Sequence, residues 1–331
     1  VFFDQTKATV IAHSKSSVTG KEIITFELEF PRPILAEFNT HNALSKNASS
    51  SRAIPVPTML KQVRENPAFL ARYGAANTGM QDKGPHNGLI DIEGIDDWLT
   101  AEEAWVNAAK DAAYHAEAFH NAGYAKQVCN RLIEPFQMMK VVMTATELNN
   151  FKWLRRHDAA DPTIDVLCQK VITAQEASTP VILQPGWWHV PYYNEGYWIP
   201  ASTARTTDGP VVVDKFGHSL EHALIISSSC SAQVSYRKLD DTIEKARGVV
   251  ARLNLQGEEP DQPVHASPLE HQCTPFEYPD YESMLIGRFE RDLVDWEEGV
   301  THVDRDGQLG SGNMKGWKQH RQLVPNHVKK G

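Results

Sequence analysis

The sequence predicts an α+β fold, and three observations carry that expectation. Residues 22–30, Glu-Ile-Ile-Thr-Phe-Glu-Leu-Glu-Phe, are rich in β-formers with partial alternation, which is the mark of a strand. The Ala-rich stretch 101–122 is a helix. Thr100 and Glu103 form a capping box ahead of it, Asp96 and Asp97 lie just upstream, and Gly123 stops it. Residues 159–178 give a further helix that starts near Asp161-Pro162, a cap residue followed by the residue favoured at the first helical position.

The remaining elements follow in chain order. Pro31 and Pro33 end the first strand. Residues 34–47 are expected to be helical, and a Ser-rich turn follows at Ser49, Ser50 and Ser51. Residues 74–95 carry Gly74, Gly79, Gly84, Pro85, Gly88 and Gly94 among polar residues, which describes a long loop. A helix is expected over 125–133, and 138–156 reads as another with an apolar face. Residues 180–210 hold Trp187, Trp188, Tyr192, Tyr193, Tyr197 and Trp198 among Pro and Gly, so they form either a structured lid or a packed loop. Residues 223–236 are apolar at first and then small and polar, and 241–253 form a short helix. The last 50 residues are polar with a basic end, and there are no repeats. The expected organisation is one domain with a helical insertion at about 60–125 and a polar C-terminal extension at about 280–331.

Composition narrows the function classes. Hydrophobic residues make up 41% and charged residues 23%, ordinary for a soluble globular protein. A net charge of −9 argues against a general nucleic-acid binder, yet a few Arg suffice for a local phosphate pocket. No apolar run is long enough to span a membrane, and the start Val-Phe-Phe-Asp-Gln-Thr-Lys lacks the pattern of a signal peptide. Cys129, Cys168, Cys230 and Cys273 are widely spaced without a CxxC pair, as expected of reduced, mostly buried thiols in a cytoplasmic protein. No GxGxxG opens a βαβ unit, and neither GxxxxGK[ST] nor G-x-S-x-G is present, so dinucleotide-binding oxidoreductases, P-loop NTPases and α/β-hydrolases lack support.

Four segments carry chemistry. Residues 37–52 run from Glu37 through His41, Asn42 and Asn47 to Ser50 and Arg52. Hydroxyls, amides and an Arg in a turn after a helix can hold a phosphate, although a Ser-rich turn alone is more often a solvated loop. Arg131 sits within Asn-Arg-Leu-Ile-Glu-Pro, where an ordinary surface ion pair is the competing explanation. Asn150 and Arg155 are five residues apart, roughly 140° around a helix, and border one broad face. An Arg that never loses its proton suits a developing oxyanion on a substrate carbonyl. Last comes the block His265-Ala266-Ser267-Pro268-Leu269-Glu270-His271. The Pro breaks helical metal-ligand geometry and no third ligand is evident, so no metal site is assigned.

Together these segments resemble the flavin-dependent thymidylate synthases. That family's signature is Arg-His-Arg, then Ser, Asn-Glu, Ser and Arg-Tyr. The same spacing reads here as Thr40-His41-Asn42, Ser45, Asn47-Ala48, Ser50 and Arg52-Ala53. The 265–271 block matches the family's His-x-Ser/Thr-Pro-x-Glu-His, and Ala232-Gln233-Val234-Ser235-Tyr236 matches its Ala-Arg-Val-Ser-Tyr. In the usual order these two blocks precede the signature; here they follow it, which implies a circular permutation. With the Pro-Gly-Trp-Trp-His-Val-Pro-Tyr segment at 185–192, the arrangement is similar to phage-encoded members.

The resemblance implies an antiparallel sheet with helices, a homotetramer, and a location in the cytoplasm, that of the host if phage-encoded. It implies FAD, methylenetetrahydrofolate and NADPH, with one carbon passed to C5 of a pyrimidine nucleotide without a Cys nucleophile. Arg155, Asn150 and His265 would then be catalytic. Ser50, Arg52, Arg131, Asp161 and Glu37 would bind substrate, while His41, Asn42, Asn47, Ser235, Ser267 and Glu270 would line the flavin. No direct contact with nucleic acid or membrane is implied.

Thr40, Asn42, Ala48 and Gln233 depart from the family pattern and remove three Arg and a Glu. Asp161 falls where the family has Gln. A carboxylate there accepts a hydrogen bond from the cytosine amino group, so dCMP stands beside dUMP as substrate; the alternative is a plain helix cap. The product is a 5-methyl or a 5-hydroxymethyl nucleotide, depending on whether hydride or water completes the transfer. A noncatalytic flavin- or nucleotide-binding homologue, or a partner subunit, is the competing function.

Overall fold

The computed structural model describes residues 3–207, 209–235, 239–293 and 295–329. Strands β1 (Lys7–Ser16) and β2 (Glu22–Pro31) form an antiparallel hairpin, and a 3-10 turn at Arg32–Ile34 ends β2 where the prolines predict. Helix α1 covers only Leu35–Asn39, and β3 (Ser45–Ala48) follows after a turn, so the helix expected over 34–47 is cut short. Thr40 ends it by donating its hydroxyl to the Glu37 carbonyl at 2.7 Å. Lys46 then folds back onto the freed carbonyls of Phe38, Asn39 and His41 at 3.5, 3.3 and 2.8 Å. Local hydrogen bonding thus outcompetes helix propagation.

Helices α2 (Val56–Glu65), α3 (Ala101–Asn121) and α4 (Lys126–Arg131) pack together. Ala109, Ala113 and Ala116 form the narrow stripe of α3 that lets it approach Val56, Met59, Leu60 and Val63. The capping box of Thr100 and Glu103 is present. Between α2 and α3 the chain is irregular, with isolated bridges at Gly74–Pro85 and Ile90–Leu99.

Residues 138–156 are not one helix. Met138–Ala145 is strand β4, and only Asn149–Arg155 is helical, as α5. β4 lies between β2 and β3 and is buried on both faces from Val141 to Ala145, so its side chains run apolar without alternation. Such a run does not distinguish strand from helix by period, and sheet pairing decides it. Helix α6 (Pro162–Glu176) begins as expected: Asp161 Oδ1 accepts from the Thr163 and Ile164 amides at 2.7 and 3.4 Å. Asp161→Ala is expected to lower unfolding free energy by about 1 kcal/mol, with Asp161→Ser retaining most of it. Equal urea midpoints for both variants and the parent would contradict this cap.

The aromatic stretch 180–210 is packed. It holds β5 (Val181–Leu183), β6 (Trp188–His189), β7 (Tyr197–Trp198) and part of the hairpin β8 (Ser202–Thr206)–β9 (Gly209–Val213), with Trp188, Tyr193 and Trp198 buried. Gly196, at φ +88°, sits so close to β1 that an added Cβ would meet the Ala12 Cβ at 2.7 Å. Next come α7 (Leu220–Ala232), α8 (Ile243–Arg252), a 3-10 turn at Ser267–Glu270 and β10 (Cys273–Pro275). The polar C-terminal stretch forms α9 (Tyr281–Glu290), β11 (His302–Val303), β12 (Leu309–Ser311), β13 (Met314–Lys315) and β14 (Trp317–Gln319). Its residues reach the first strands. Trp317, fully buried, donates its indole N–H to the Lys21 carbonyl at 3.1 Å, and Thr19 donates to the Gly316 carbonyl at 3.3 Å.

The central sheet has the order β3-β4-β2-β1-β5, antiparallel except for β1–β5, and a second sheet runs β14-β10-β6-β7. Ile24, Phe26, Leu28 and Phe30 of β2 face a cluster completed by Ile164, Leu167 and Val171 of α6. The opposite face carries Ile23 and Thr25. Here a buried polar row joins the two sheets: Ser14 Oγ to His189 Nδ1 (2.9 Å), His189 Nε2 to Thr25 Oγ1 (2.8 Å), Thr25 Oγ1 to Thr144 Oγ1 (2.7 Å), and Thr144 Oγ1 to His271 Nδ1 (2.8 Å). All four cysteines are buried and unpaired. Among the described residues no helix is long and apolar enough to cross a membrane.

Candidate functional site

β3 is a short edge strand, and distant parts of the chain meet around it. Asn47 donates to the Ser231 carbonyl at the end of α7 at 3.1 Å, a contact between residues 184 apart in sequence. The turn Ser267–Glu270 and the 3-10 turn Gln233–Ser235 both lie against β3. Ser45 exchanges hydrogen bonds with the Asn313 amide at 3.0–3.1 Å. The segments that the sequence separates are therefore adjacent in space.

Arg155, at the end of α5, closes the other side. Its Nε donates to His41 Nε2 at 2.8 Å, and one terminal nitrogen donates to the Glu37 carbonyl and the Thr40 hydroxyl, each at 2.9 Å. As an acceptor at Nε2, His41 is a neutral imidazole with its proton on Nδ1. Burial, then the Arg155 and Lys46 charges, pushes its pKa down to about 4. Phe151 holds the ring edge-on at 5.0 Å. Burial lowers the pKa of Lys46, with Glu270 pulling the other way, so strand and turn also meet electrostatically. Glu270 pairs with Arg321 at 2.5 Å.

The residues expected to hold a phosphate lie on two segments that are linked through the backbone. Asn130, beside Arg131, donates to the Ser51 and Ile54 carbonyls at 2.8 and 3.0 Å, which ties the end of α4 to the Ser50–Arg52 turn. Ser50 Oγ accepts from the Arg52 amide at 3.2 Å, and both Arg52 and Arg131 are exposed. Asn42, Asn150, His265 and Ser267 are exposed as well, and among the described residues no side-chain hydrogen bond ties Asn150 or His265 to the Arg155 group. Asp161 is the α6 cap. The side chain of Ser235, and Tyr236 with it, lie outside the described residues.

Gln233 is buried and braces its own loop. It donates to Ser229 Oγ and the Asp240 carbonyl at 3.0 and 2.8 Å and accepts from the Asp240 amide at 3.2 Å. Sequence reasoning missed Lys46, whose position between Ser45 and Asn47 of the signature was the available signal. The two His of the 265–271 block read as hydrogen-bonding or flavin-contacting groups, and His271 is buried and hydrogen-bonded to Thr144.

Several polar atoms on these elements are buried without a partner: Glu37 Oε2, Ser231 Oγ and His271 Nε2. Such atoms cost about 1–3 kcal/mol each when unmet; among the described residues Asn130 Oδ1, Arg321 Nε, Arg72 Nε, Tyr73 Oη and Tyr278 Oη are buried without a partner as well. A cleft of about 990 Å³ opens between 260–264 and 322–329, beside the 265–271 block, and one of about 470 Å³ lies beside Arg72, Arg156 and Asp165, at the end of α5. Among the described residues no three His, Cys, Asp or Glu side chains are placed to hold a metal.

No family model and no curated protein matches the sequence. Among solved structures, the chain is similar to the flavin-dependent thymidylate synthase ThyX from Helicobacter pylori complexed with FAD and dUMP. The identity is 15% over 46% of this chain and 67% of that one, at a TM-score of 0.31. It is also similar to a UMP/dUMP methylase, PolB from Streptomyces cacaoi, bound with 5-Br UMP. There the identity is 14% over 52% of this chain and 89% of that one, at a TM-score of 0.37.

Proposed function

We propose that the protein is a flavin-dependent one-carbon transferase acting at C5 of a deoxypyrimidine monophosphate. The observation that supports this reading best is the convergence on β3. The Thr40–Arg52 segment, the 232–235 segment and the 265–271 block are far apart in the chain, yet Asn47 bonds Ser231 and the Ser267–Glu270 turn lies against the strand. Unpartnered buried atoms on the same elements fit a polar ring ligand.

FAD would be held by His41, Asn42, Asn47, Ser235, Ser267 and Glu270, and bound there it supplies the redox chemistry of carbon transfer. Lys46 and Arg155 are the cations beside this segment where Thr40 and Asn42 replace Arg. Ser50, Arg52 and Arg131 hold the nucleotide phosphate as charge-assisted donors. Arg155 and Asn150 take the pyrimidine ring, with Glu37 beside them. A guanidinium at the ring carbonyl stabilises negative charge there and makes C5 electron-rich. His265 flanks the reacting face.

The carbon comes from methylenetetrahydrofolate, NADPH is the reductant, and the protein works as a tetramer in phage DNA synthesis or base modification. Between the two bases, dUMP is favoured, because Asp161 Oδ1 is already engaged by two helix amides. The product is a 5-methyl or 5-hydroxymethyl nucleotide.

Mass spectrometry of products from dUMP and dCMP, each with methylenetetrahydrofolate, FAD and NADPH, tests the reading and separates the two products. A protein that turns yellow with FAD but gives no product from either nucleotide is the noncatalytic homologue instead. One that takes up neither flavin nor nucleotide overturns the proposal.

A further inference from the structure

The buried row that ends at His271 has a direction. Each hydroxyl in it has one hydrogen, and each neutral imidazole has one N–H and one lone pair. In one polarity Ser14 O–H donates to His189 Nδ1, His189 Nε2–H to Thr25, Thr25 O–H to Thr144, and Thr144 O–H to His271 Nδ1. Every hydroxyl hydrogen is then used, and His271 carries its own proton on Nε2. In the opposite polarity the Ser14 hydroxyl hydrogen is left without an acceptor among the described residues, while His271 Nε2 is a bare lone pair. The second arrangement strands one more buried polar group, at a cost of about 1–3 kcal/mol, so the first prevails. Both imidazoles stay neutral, since burial lowers their pKa values to about 3.

The loose end of this row lies next to the elements that surround β3. His271 directly follows the Ser267–Glu270 turn that packs on β3, and Thr144, which holds it, is the β4 partner of Ser45 in β3. Its Nε2 is buried and has no hydrogen-bond partner among the described residues. We infer that His271 is a fixed Nε2–H donor held for an acceptor atom, a carbonyl oxygen or a pyridine-type nitrogen, of the heteroaromatic ligand bound beside β3. The bond is direct or passes through one enclosed water. Thr144, Thr25, His189 and Ser14 are positioning residues that set its tautomer. The ring's identity as flavin rests on the proposed function; the tautomer does not.

Nitrogen NMR of protein labelled at its imidazoles tests this on the protein alone and then with FAD or dUMP added. The expected result is a protonated Nε2 on His271 in the free protein that shifts when FAD binds. Thr144→Val should scramble the tautomer and weaken FAD binding about 10-fold, with Thr144→Ser restoring both. A shift with dUMP but none with FAD would retain the inference and refute flavin as the ring beside β3. A bare Nε2 in the free protein, or a protonated one that neither ligand moves, overturns the inference.

Discussion

Arg155→Lys is expected to lower turnover of the pyrimidine nucleotide by about 10²-fold or more while leaving the protein folded. A Lys has one point of charge where the guanidinium presents a fork, and this fork is already divided between His41, Thr40 and the Glu37 carbonyl. Shortening it to an ammonium loosens the turn that precedes β3 as well as the group assigned to the ring carbonyl. His41 supplies an independent readout, because Arg155 is the second cause of its lowered pKa. In Arg155→Ala that cause is gone, and the imidazole should titrate closer to its ordinary value. Thermal unfolding separates this from collapse of α5, which is anchored by the buried Phe151. Unchanged turnover in both variants would remove Arg155 from the chemistry and leave it a brace for residues 37–41.

Mild acid should destabilise the protein steeply between pH 6.5 and about pH 4. His189 and His271 are fully buried and neutral, with pKa values lowered from 6.5 to about 3 by burial. A lowered folded-state pKa means that the unfolded chain takes up protons first. Stability is therefore complete above pH 6.5 and is lost as pH falls toward the folded value. One pH unit is worth about 1.4 kcal/mol per group, so at pH 5 each of these two imidazoles removes about 2 kcal/mol. Their sum of about 4 kcal/mol is comparable with the whole stability of many domains, about 5–15 kcal/mol. His41 and His320, lowered to about 4, add to the loss in the same window. Urea midpoints at pH 7, 6 and 5 measure the effect, and a flat series would show that these rings are not held neutral in the folded protein.

What the sequence disclosed was local. The Thr100 capping box and the Asp161-Pro162 helix start involve residues within three positions of one another, and both are found as expected. The strand 22–30 announces itself by β-formers and two prolines. β1 and β4 do not: β1 has no clean alternation, and β4 is a central strand whose apolar run fits either period. β3 was hidden because three of its four residues are polar and none is a β-former, and only pairing with β4 makes them a strand. The site divides in the same way. Spacing within residues 40–52 and 265–271 singled out two segments that the fold brings side by side, whereas the Arg155–His41 bond and the row from Ser14 to His271 join residues more than 100 positions apart. No short-range pattern encodes such contacts.

Closure of the first strands by the last ones has a temporal consequence. Lys21 accepts its indole N–H from Trp317, 296 residues later, and Ser45 waits equally for Asn313. At translation rates of about 5–20 residues per second, the β1–β2 hairpin leaves the ribosome roughly 15–60 s before its partner. During that interval Ile23 has no Trp317 to cover it and the β3 edge is unguarded, a state prone to pairing with neighbouring nascent chains. Slower synthesis at low temperature prolongs that exposure, so yield of soluble protein should respond more to chaperone supply than to expression rate.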